Sequence, residues 1–318
     1  MVGIYAIKTM VVRAMATHMI DSIPWVRGAV FPLPEAAVYC FPSGYPYPKE
    51  VYAPVWEKGS GHRIPCVAVG KGKRRVLLFH GNGETIINAR GLAVRISKLC
   101  NATVYLMEFP GYWRGEDGHV AQRSAKAVYE AAAETAAIIA EGGEYHVMGY
   151  SLGTAVAVRV AKEARQHQSR VLTLSLIAPI CSAMSAFASS PADDIPTGLK
   201  MLVSLIKPMM TPRDIFCAER DAPMVRVPST VVYGTADKVV ANSQGACMTE
   251  LLHSTYQIIA GRDHSTILDD KFALHFIKRH VIDHDAIDGG DADYNVVVEV
   301  TDLDRGAGDD DGDDGDGR

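Results

Sequence analysis

A chain of 318 residues with 48% apolar side chains can bury one sizeable core. Its formal charge of −5 is unevenly spread, because residues 283–318 hold fourteen Asp or Glu against Arg305 and Arg318, leaving a mildly basic body of about +7. Such a body suits an anionic surface or substrate but lacks the dense Lys/Arg stripe of a nucleic-acid binder, and no uncharged run reaches the roughly 18 residues needed to cross a bilayer.

The first twenty residues are apolar but carry Lys8 and Arg13, so the uncharged stretch of a secretory signal is missing. The expected location is the cytoplasm, free or peripheral at a membrane surface. Ile4, Ile7, Val11 and Met15 recur at helical spacing, a stripe that fits either a membrane interface or the domain's own surface. Seven prolines from Pro24 to Pro54 then impose an extended lead-in, so residues 1–54 precede the folded domain. The cysteines at 40, 66, 100, 181, 217 and 247 are scattered, with neither a CxxC pair nor a His/Cys spacing that closes a metal site. They read as reduced thiols, and no metal or cofactor is called for.

From about Arg63 short apolar runs alternate with longer helical patterns. The pattern predicts strands near 63–69, 75–80, 103–108, 145–150, 170–178, 229–234 and 255–260, and helices near 84–99, 121–141, 152–166, 242–253 and 267–280. Strands as continuously apolar as Val76 to Phe79 and Val171 to Ile177 belong in a sheet covered on both faces. The predicted fold is therefore α/β, a mostly parallel, doubly wound sheet over residues 55–282. Residues 179–228 exceed a plain crossover and predict a lid containing an apolar helix from Leu199 to Met210. Residues 283–318 are Asp- and Gly-rich, which predicts disorder, with a short strand near Val296 to Val298 as the one exception. The Asp-rich end lacks the spacing and closing Glu of a calcium loop.

Gly149-Tyr150-Ser151-Leu152-Gly153 follows an apolar strand and opens a helix of small residues, the context in which GxSxG carries a nucleophile. A serine hydroxyl needs a base, and the base needs a partner that fixes its tautomer. Both are found in order: Asp237 past the strand ending in Tyr233-Gly234, and His264 past Ile258-Ile259. Ser151, Asp237 and His264 are thus the expected nucleophile, acid and base, each just beyond the carboxyl end of a strand. Asp263 beside His264 reads as a loop-stabilising carboxylate, and Asp269 and Asp270 as caps of the last helix. His253, His275 and His280 fall on predicted helices away from the site. His80-Gly81-Asn82-Gly83 places small residues where backbone amides can face a reacting carbonyl, so the oxyanion donors are assigned to the amides of Asn82 and Leu152. His80 is expected to bond loop backbone rather than act as a base. Phe109 to Trp113 either wall an acyl pocket or pack the loop, and Lys71, Lys73, Arg74 and Arg75 are read as solvated.

Taken together, His80-Gly81-Asn82-Gly83, Phe109-Pro110-Gly111-Tyr112, Gly149 to Gly153, Gly234-Thr235-Ala236-Asp237 and Asp263-His264 resemble the α/β-hydrolase superfamily, and within it the domain-containing group 17 proteins, over roughly residues 55–282. The resemblance implies a membrane-associated thioesterase that removes palmitate from protein cysteines, with Ser151, Asp237 and His264 at the triad positions. Those relatives carry an acylated N-terminal cysteine cluster, whereas the first cysteine here is Cys40. The expected activity is hydrolysis of a carboxylic ester or acyl thioester on a small molecule or protein, without a nucleic-acid partner. A peptidase or lipase with the same triad, or a silent scaffold that binds a partner, are the alternatives. Oligomeric state is not legible in the sequence.

Overall fold

A computed structural model of the chain describes residues 51–53, 64–112, 124–141, 143–164, 171–191, 197–206, 216–285 and 298–301. The N-terminal stripe from Ile4 to Met15, Cys40, Trp113 and most of the acidic tail lie outside the described residues. Among the described residues nine strands form one sheet: β1 (Val51–Ala53), β2 (Ile64–Val69), β3 (Arg74–Phe79), β4 (Ala102–Met107), β5 (Tyr145–Tyr150), β6 (Val171–Ile177), β7 (Ser229–Gly234), β8 (Thr255–Ile259) and β9 (Val298–Thr301). Their order is β1-β2-β4-β3-β5-β6-β7-β8-β9. β2 runs antiparallel to both β1 and β4, and every other pairing is parallel. The sheet thus reaches past the expected 55–282 at both ends, with β1 before it and β9 inside the segment read as a tail. That strand falls at Val298–Thr301 rather than at 296–298.

The helices are α1 (Ile86–Cys100), α2 (Ala125–Glu141), α3 (Gly153–Glu163), α4 (Ala183–Ser189), α5 (Thr197–Ile206), the single turn α6 (Ala218–Asp221), α7 (Asn242–Leu252) and α8 (Lys271–Asp283). One face of the sheet packs against α1 and α8 through Leu92, Ile96, Leu274 and Ile277. The other packs against α2, α3 and α7 through Val128, Ala132, Val156 and Met248. Central strands sandwiched in this way have no solvent face, which is why β5 and β7 are buried throughout. The last predicted helix divides into a 3₁₀ turn, Thr266–Asp269, and α8, because Asp270 caps α8 by accepting from the amides of Phe272 and Ala273.

The chain turns from β3 to β4 on one side and returns to β5 on the other, so β3 and β5 are neighbours whose following loops part in opposite directions. A crevice opens at their carboxyl ends, where open α/β sheets bind ligands. The excursion between β6 and β7 leaves from this edge. It contains α4 and α5, the latter over Thr197–Ile206 against the predicted 199–210, with 207–215 outside the described residues. Its returning end is clamped to α3, where the buried Asp221 receives Arg159 at 2.7 Å and Lys162 at 2.9 Å. Asp285, just past α8, pairs with Arg74 and His146. Among the described residues no helix is long and apolar enough to cross a membrane.

Candidate active site

Ser151 sits on the turn between β5 and α3 with φ of +51°, in the left-handed region that L residues seldom occupy. The cost, of order 1–3 kcal/mol, is offset by the surrounding contacts. The Ser151 amide donates to the Ile177 carbonyl at 2.9 Å and the Thr154 hydroxyl donates to the Ser151 carbonyl. The flanking glycines are required by space. A Cβ on Gly149 would lie 2.5 Å from the Gly153 carbonyl oxygen, and one on Gly153 would lie 2.3 Å from the Phe79 carbonyl oxygen and 2.5 Å from that of His80. The second contact has a consequence for the site: α3 begins directly against the end of β3, so the segments bearing Leu152 and Asn82 are adjacent.

His264 and Asp237 come from the loops after β8 and β7. The hydroxyl of Ser151 donates to His264 Nε2 at 2.9 Å, and His264 Nδ1 donates to Asp237 Oδ2 at 2.7 Å. The other carboxylate oxygen of Asp237 accepts from the amides of Val239 and Val240, both at 2.8 Å, so the carboxylate is held at both ends. Asp263 turns away and accepts from the amides of Ser265 and Thr266 and the Thr266 hydroxyl, as expected of a loop-forming carboxylate. Those bonds hold its pKa below the usual carboxylate value. Tyr150 adds a restraint the sequence did not suggest. Its hydroxyl donates to the His264 carbonyl at 2.9 Å and its ring lies 5.1 Å from the imidazole. Burial holds the phenol well above its ordinary pKa, so it remains a donor.

Asn82 is exposed at the turn after β3, and its Oδ1 accepts from the Tyr112 hydroxyl at 3.0 Å. Leu152 is buried and heads α3, where the first amides have no carbonyl within the helix to donate to. Phe109 and Tyr112 are fully buried, and the Phe109 ring lies 4.0 Å from that of His80. For Phe109 and Tyr112 the burial fits the loop-packing reading, while Trp113 lies outside the described residues. His80 bonds loop backbone as expected, through the Gly81 carbonyl at 2.9 Å, but its other nitrogen meets Glu108 at 3.0 Å. Glu108 was missed. The signal was an ionisable residue ending an otherwise apolar strand.

The remaining histidines stand apart. His275 is exposed on α8, His253 is the left-handed residue that ends α7 rather than part of it, and His280 is buried at the far end of α8. The thiols of Cys66, Cys100, Cys181 and Cys217 are buried, and burial pushes Cys66 up to about 12, as befits an inert thiol. Among the described residues no cluster of His, Cys, Asp and Glu could hold a metal ion.

The sequence profile of the alpha/beta hydrolase family matches residues 76–228, a span that includes Ser151 but stops short of Asp237 and His264. Solved structures share the fold at low identity. An esterase from the archaeon Pyrobaculum calidifontis superposes with a TM-score of 0.56 at 16% identity, covering 88% of this chain and 94% of its own. The thermostable carboxylesterase EstE1, cloned from a metagenomic library, gives 0.53 at 16% over 86% and 97%. A monoacylglycerol lipase from Paleococcus ferrophilus gives 0.51 at 17% over 70% and 100%. No curated protein matches the chain.

Proposed function

We propose that this chain is a serine hydrolase of the α/β-hydrolase superfamily and that it cleaves a carboxylic ester or acyl thioester through an acyl-serine intermediate. The observation that carries the proposal is the continuous hydrogen-bonded chain from Ser151 Oγ through both nitrogens of His264 to Asp237. In that arrangement Ser151 Oγ attacks the acyl carbon while its proton passes to His264 Nε2, and Asp237 stabilises the imidazolium. The amides of Asn82 and Leu152 receive the negative charge that develops on the carbonyl oxygen. Collapse of the tetrahedral intermediate expels the alcohol or thiol, which takes the proton from His264. A water molecule deprotonated by His264 then attacks the acyl-serine, releasing the acid and restoring Ser151.

The finer reading is a long-chain acyl substrate, with palmitoyl thioesters on protein cysteines as its sharpest form. The sequence motifs favour it, and two structural neighbours are a monoacylglycerol lipase and a membrane phospholipase A. A panel of esters and thioesters graded by acyl length tests it, and a preference for acetyl over palmitoyl would exclude it. For the chemistry itself the test is Ser151→Ala, which should abolish fluorophosphonate labelling and lower kcat by up to about 10⁶. Undiminished labelling of that variant rejects Ser151 as the nucleophile.

A further inference from the structure

Behind the loop that bears Asn82 lies a buried ionisable pair that the Ser151, His264 and Asp237 chain does not use. The side chains of His80 and Glu108 are both at 0% exposure, and His80 Nε2 lies 3.0 Å from Glu108 Oε1. The other ring nitrogen, Nδ1, faces the Gly81 carbonyl oxygen at 2.9 Å. A carbonyl oxygen and a carboxylate are both acceptors, so a ring that bonds to both must carry a proton on each nitrogen. The surroundings favour that charged form. Burial opposes it, but the hydrogen bond and charge of Glu108, with the Gly81 carbonyl and Glu84, outweigh burial and hold His80 above the ordinary histidine pKa.

We propose that the His80–Glu108 pair positions the Gly81–Asn82 peptide, so that the Asn82 amide points at the oxyanion. The inference deepens the acyl-transfer reading and rests on it. Its basis is the geometry of one peptide unit. No peptide bond among the described residues is cis, and in a trans peptide the C=O and N–H are antiparallel. Whatever holds the Gly81 carbonyl to one side sends the Asn82 N–H to the other. The Gly81 carbonyl accepts two bonds, a long one from the Glu84 amide at 3.4 Å and the shorter from His80 Nδ1 at 2.9 Å, and a charge-assisted bond like the latter is roughly twice as strong as a neutral one. It also polarises the peptide, strengthening the N–H at its far end as a donor.

The clamp itself is fixed. Glu108 Oε1 also accepts from the Phe109 amide at 2.9 Å and Oε2 from the Ile86 amide at 3.1 Å, tying the carboxylate to the head of α1. The Gly81 amide donates to Glu84 Oε2 at 2.8 Å, which restrains the preceding peptide. The sheet register brings the pair together: Phe79 is opposite Met107 in the parallel β3–β4 ladder, so the next residues, His80 and Glu108, leave the sheet side by side.

The test has two arms. Nitrogen-15 spectra of the wild-type protein at neutral pH should show both His80 ring nitrogens protonated, and a neutral ring there overturns the inference without any variant. In the second arm, His80→Leu, His80→Asn and Glu108→Gln are compared on p-nitrophenyl butyrate, on a trifluoromethyl ketone that mimics the tetrahedral intermediate, and on butyrate, the product. Loss of one aimed donor should lower kcat/KM by about 10²-fold in His80→Leu and weaken the ketone by the same factor, leaving butyrate affinity unchanged. Glu108→Gln should follow in the same direction. His80→Asn, which can still donate close to the Nδ1 position, should recover part of the loss. Equal weakening of ketone and butyrate would mark the pair as merely structural, and a folded His80→Asn with the full His80→Leu defect would also overturn the proposal. Should His80→Leu fail to fold, the spectra and the other two variants decide. Full activity of Ser151→Ala would instead sink the acyl-transfer reading. A dead Ser151→Ala beside fully active His80 and Glu108 variants confines the failure to the positioning pair.

Discussion

Two histidine–carboxylate pairs in this molecule have the same 3.0 Å separation and the opposite charge behaviour. At the carboxyl edge of the sheet, His80 meets Glu108 and its pKa is raised. Near the amino edge, His146 at the start of β5 meets Asp285 just past α8, and its pKa is lowered. Both rings are buried to 1%, so burial works against charge in both. The difference lies in what else each carboxylate touches. Asp285 is shared with the Arg74 guanidinium and is partly open to solvent, at 26% side-chain exposure. Its field at His146 is already compensated, and Arg74 and His284 add repulsion. Glu108 accepts from the amides of Ile86 and Phe109, and its side chain has no solvent exposure that would screen its charge. The proximity of a carboxylate therefore does not set the charge of a buried histidine. The carboxylate's other neighbours do, and in this fold the charged pair stands behind the catalytic edge.

Removing each carboxylate should separate the pairs most widely. Glu108→Ala leaves a fully enclosed imidazole without its counter-charge and should cost about 3–5 kcal/mol, the usual penalty for breaking a buried ion pair. Asp285→Ala should cost at most about 1 kcal/mol, since water can replace a half-open partner. Urea unfolding at neutral pH measures both, and equal costs would break the comparison.

The next effect is on pH dependence. His280, on α8 beside His284 at a ring distance of 4.7 Å, is the extreme of the uncharged group: burial first, then His284 and His146, push it down from 6.5 to about 3. Its Nε2 has no hydrogen-bond partner among the described residues. Between 6.5 and about 3 the unfolded chain binds a proton there that the native chain refuses, so native stability falls as pH falls through that window. The slope is up to about 1.4 kcal/mol per pH unit. His280→Leu should flatten this acid limb, read as the urea midpoint against pH. His80 has the reverse sign. Its raised pKa gives stability that is full below the unfolded value and is lost as pH rises through the folded one, so its variants should flatten the alkaline limb instead. An unchanged acid limb in His280→Leu would remove His280 from the account.

What was legible in the sequence follows from how local each signal is. Ser151, Asp237 and His264 could be read because each sits in a short motif just past an apolar strand. The central strands fell within a residue or so of their predicted bounds because burial on both faces makes them continuously apolar. Glu108 could not be paired with His80 in advance, because their contact depends on a ladder register set 28 residues apart. Tyr150 was read only as the variable residue of GxSxG, since its bond to the His264 carbonyl spans 114 residues. Arg74 was read as solvated with its neighbours. Lys71 and Lys73 are indeed exposed, but Arg74 turns inward to donate to the Cys100 carbonyl at 2.8 Å and to pair with Asp285. A long cation at a strand's start buries its stem and can reach partners that no local pattern reveals.

Arg74 is also the means of making one pair behave like the other. If the guanidinium is what keeps Asp285 from charging His146, then Arg74→Met, which retains the apolar stem, should raise the His146 pKa. The Thr173 hydroxyl, 2.8 Å from His146 Nδ1, remains in place, and a hydroxyl can accept as readily as donate, so it does not oppose the charged ring. Ester hydrolysis should be unchanged, because the pair lies at the opposite edge of the sheet from Ser151. Titration of His146 by nitrogen-15 spectroscopy in the two proteins measures the shift. An unmoved His146 would mean that burial alone decides there, and the raised pKa of His80 would then owe more to Glu84 and the Gly81 carbonyl than to the charge of Glu108.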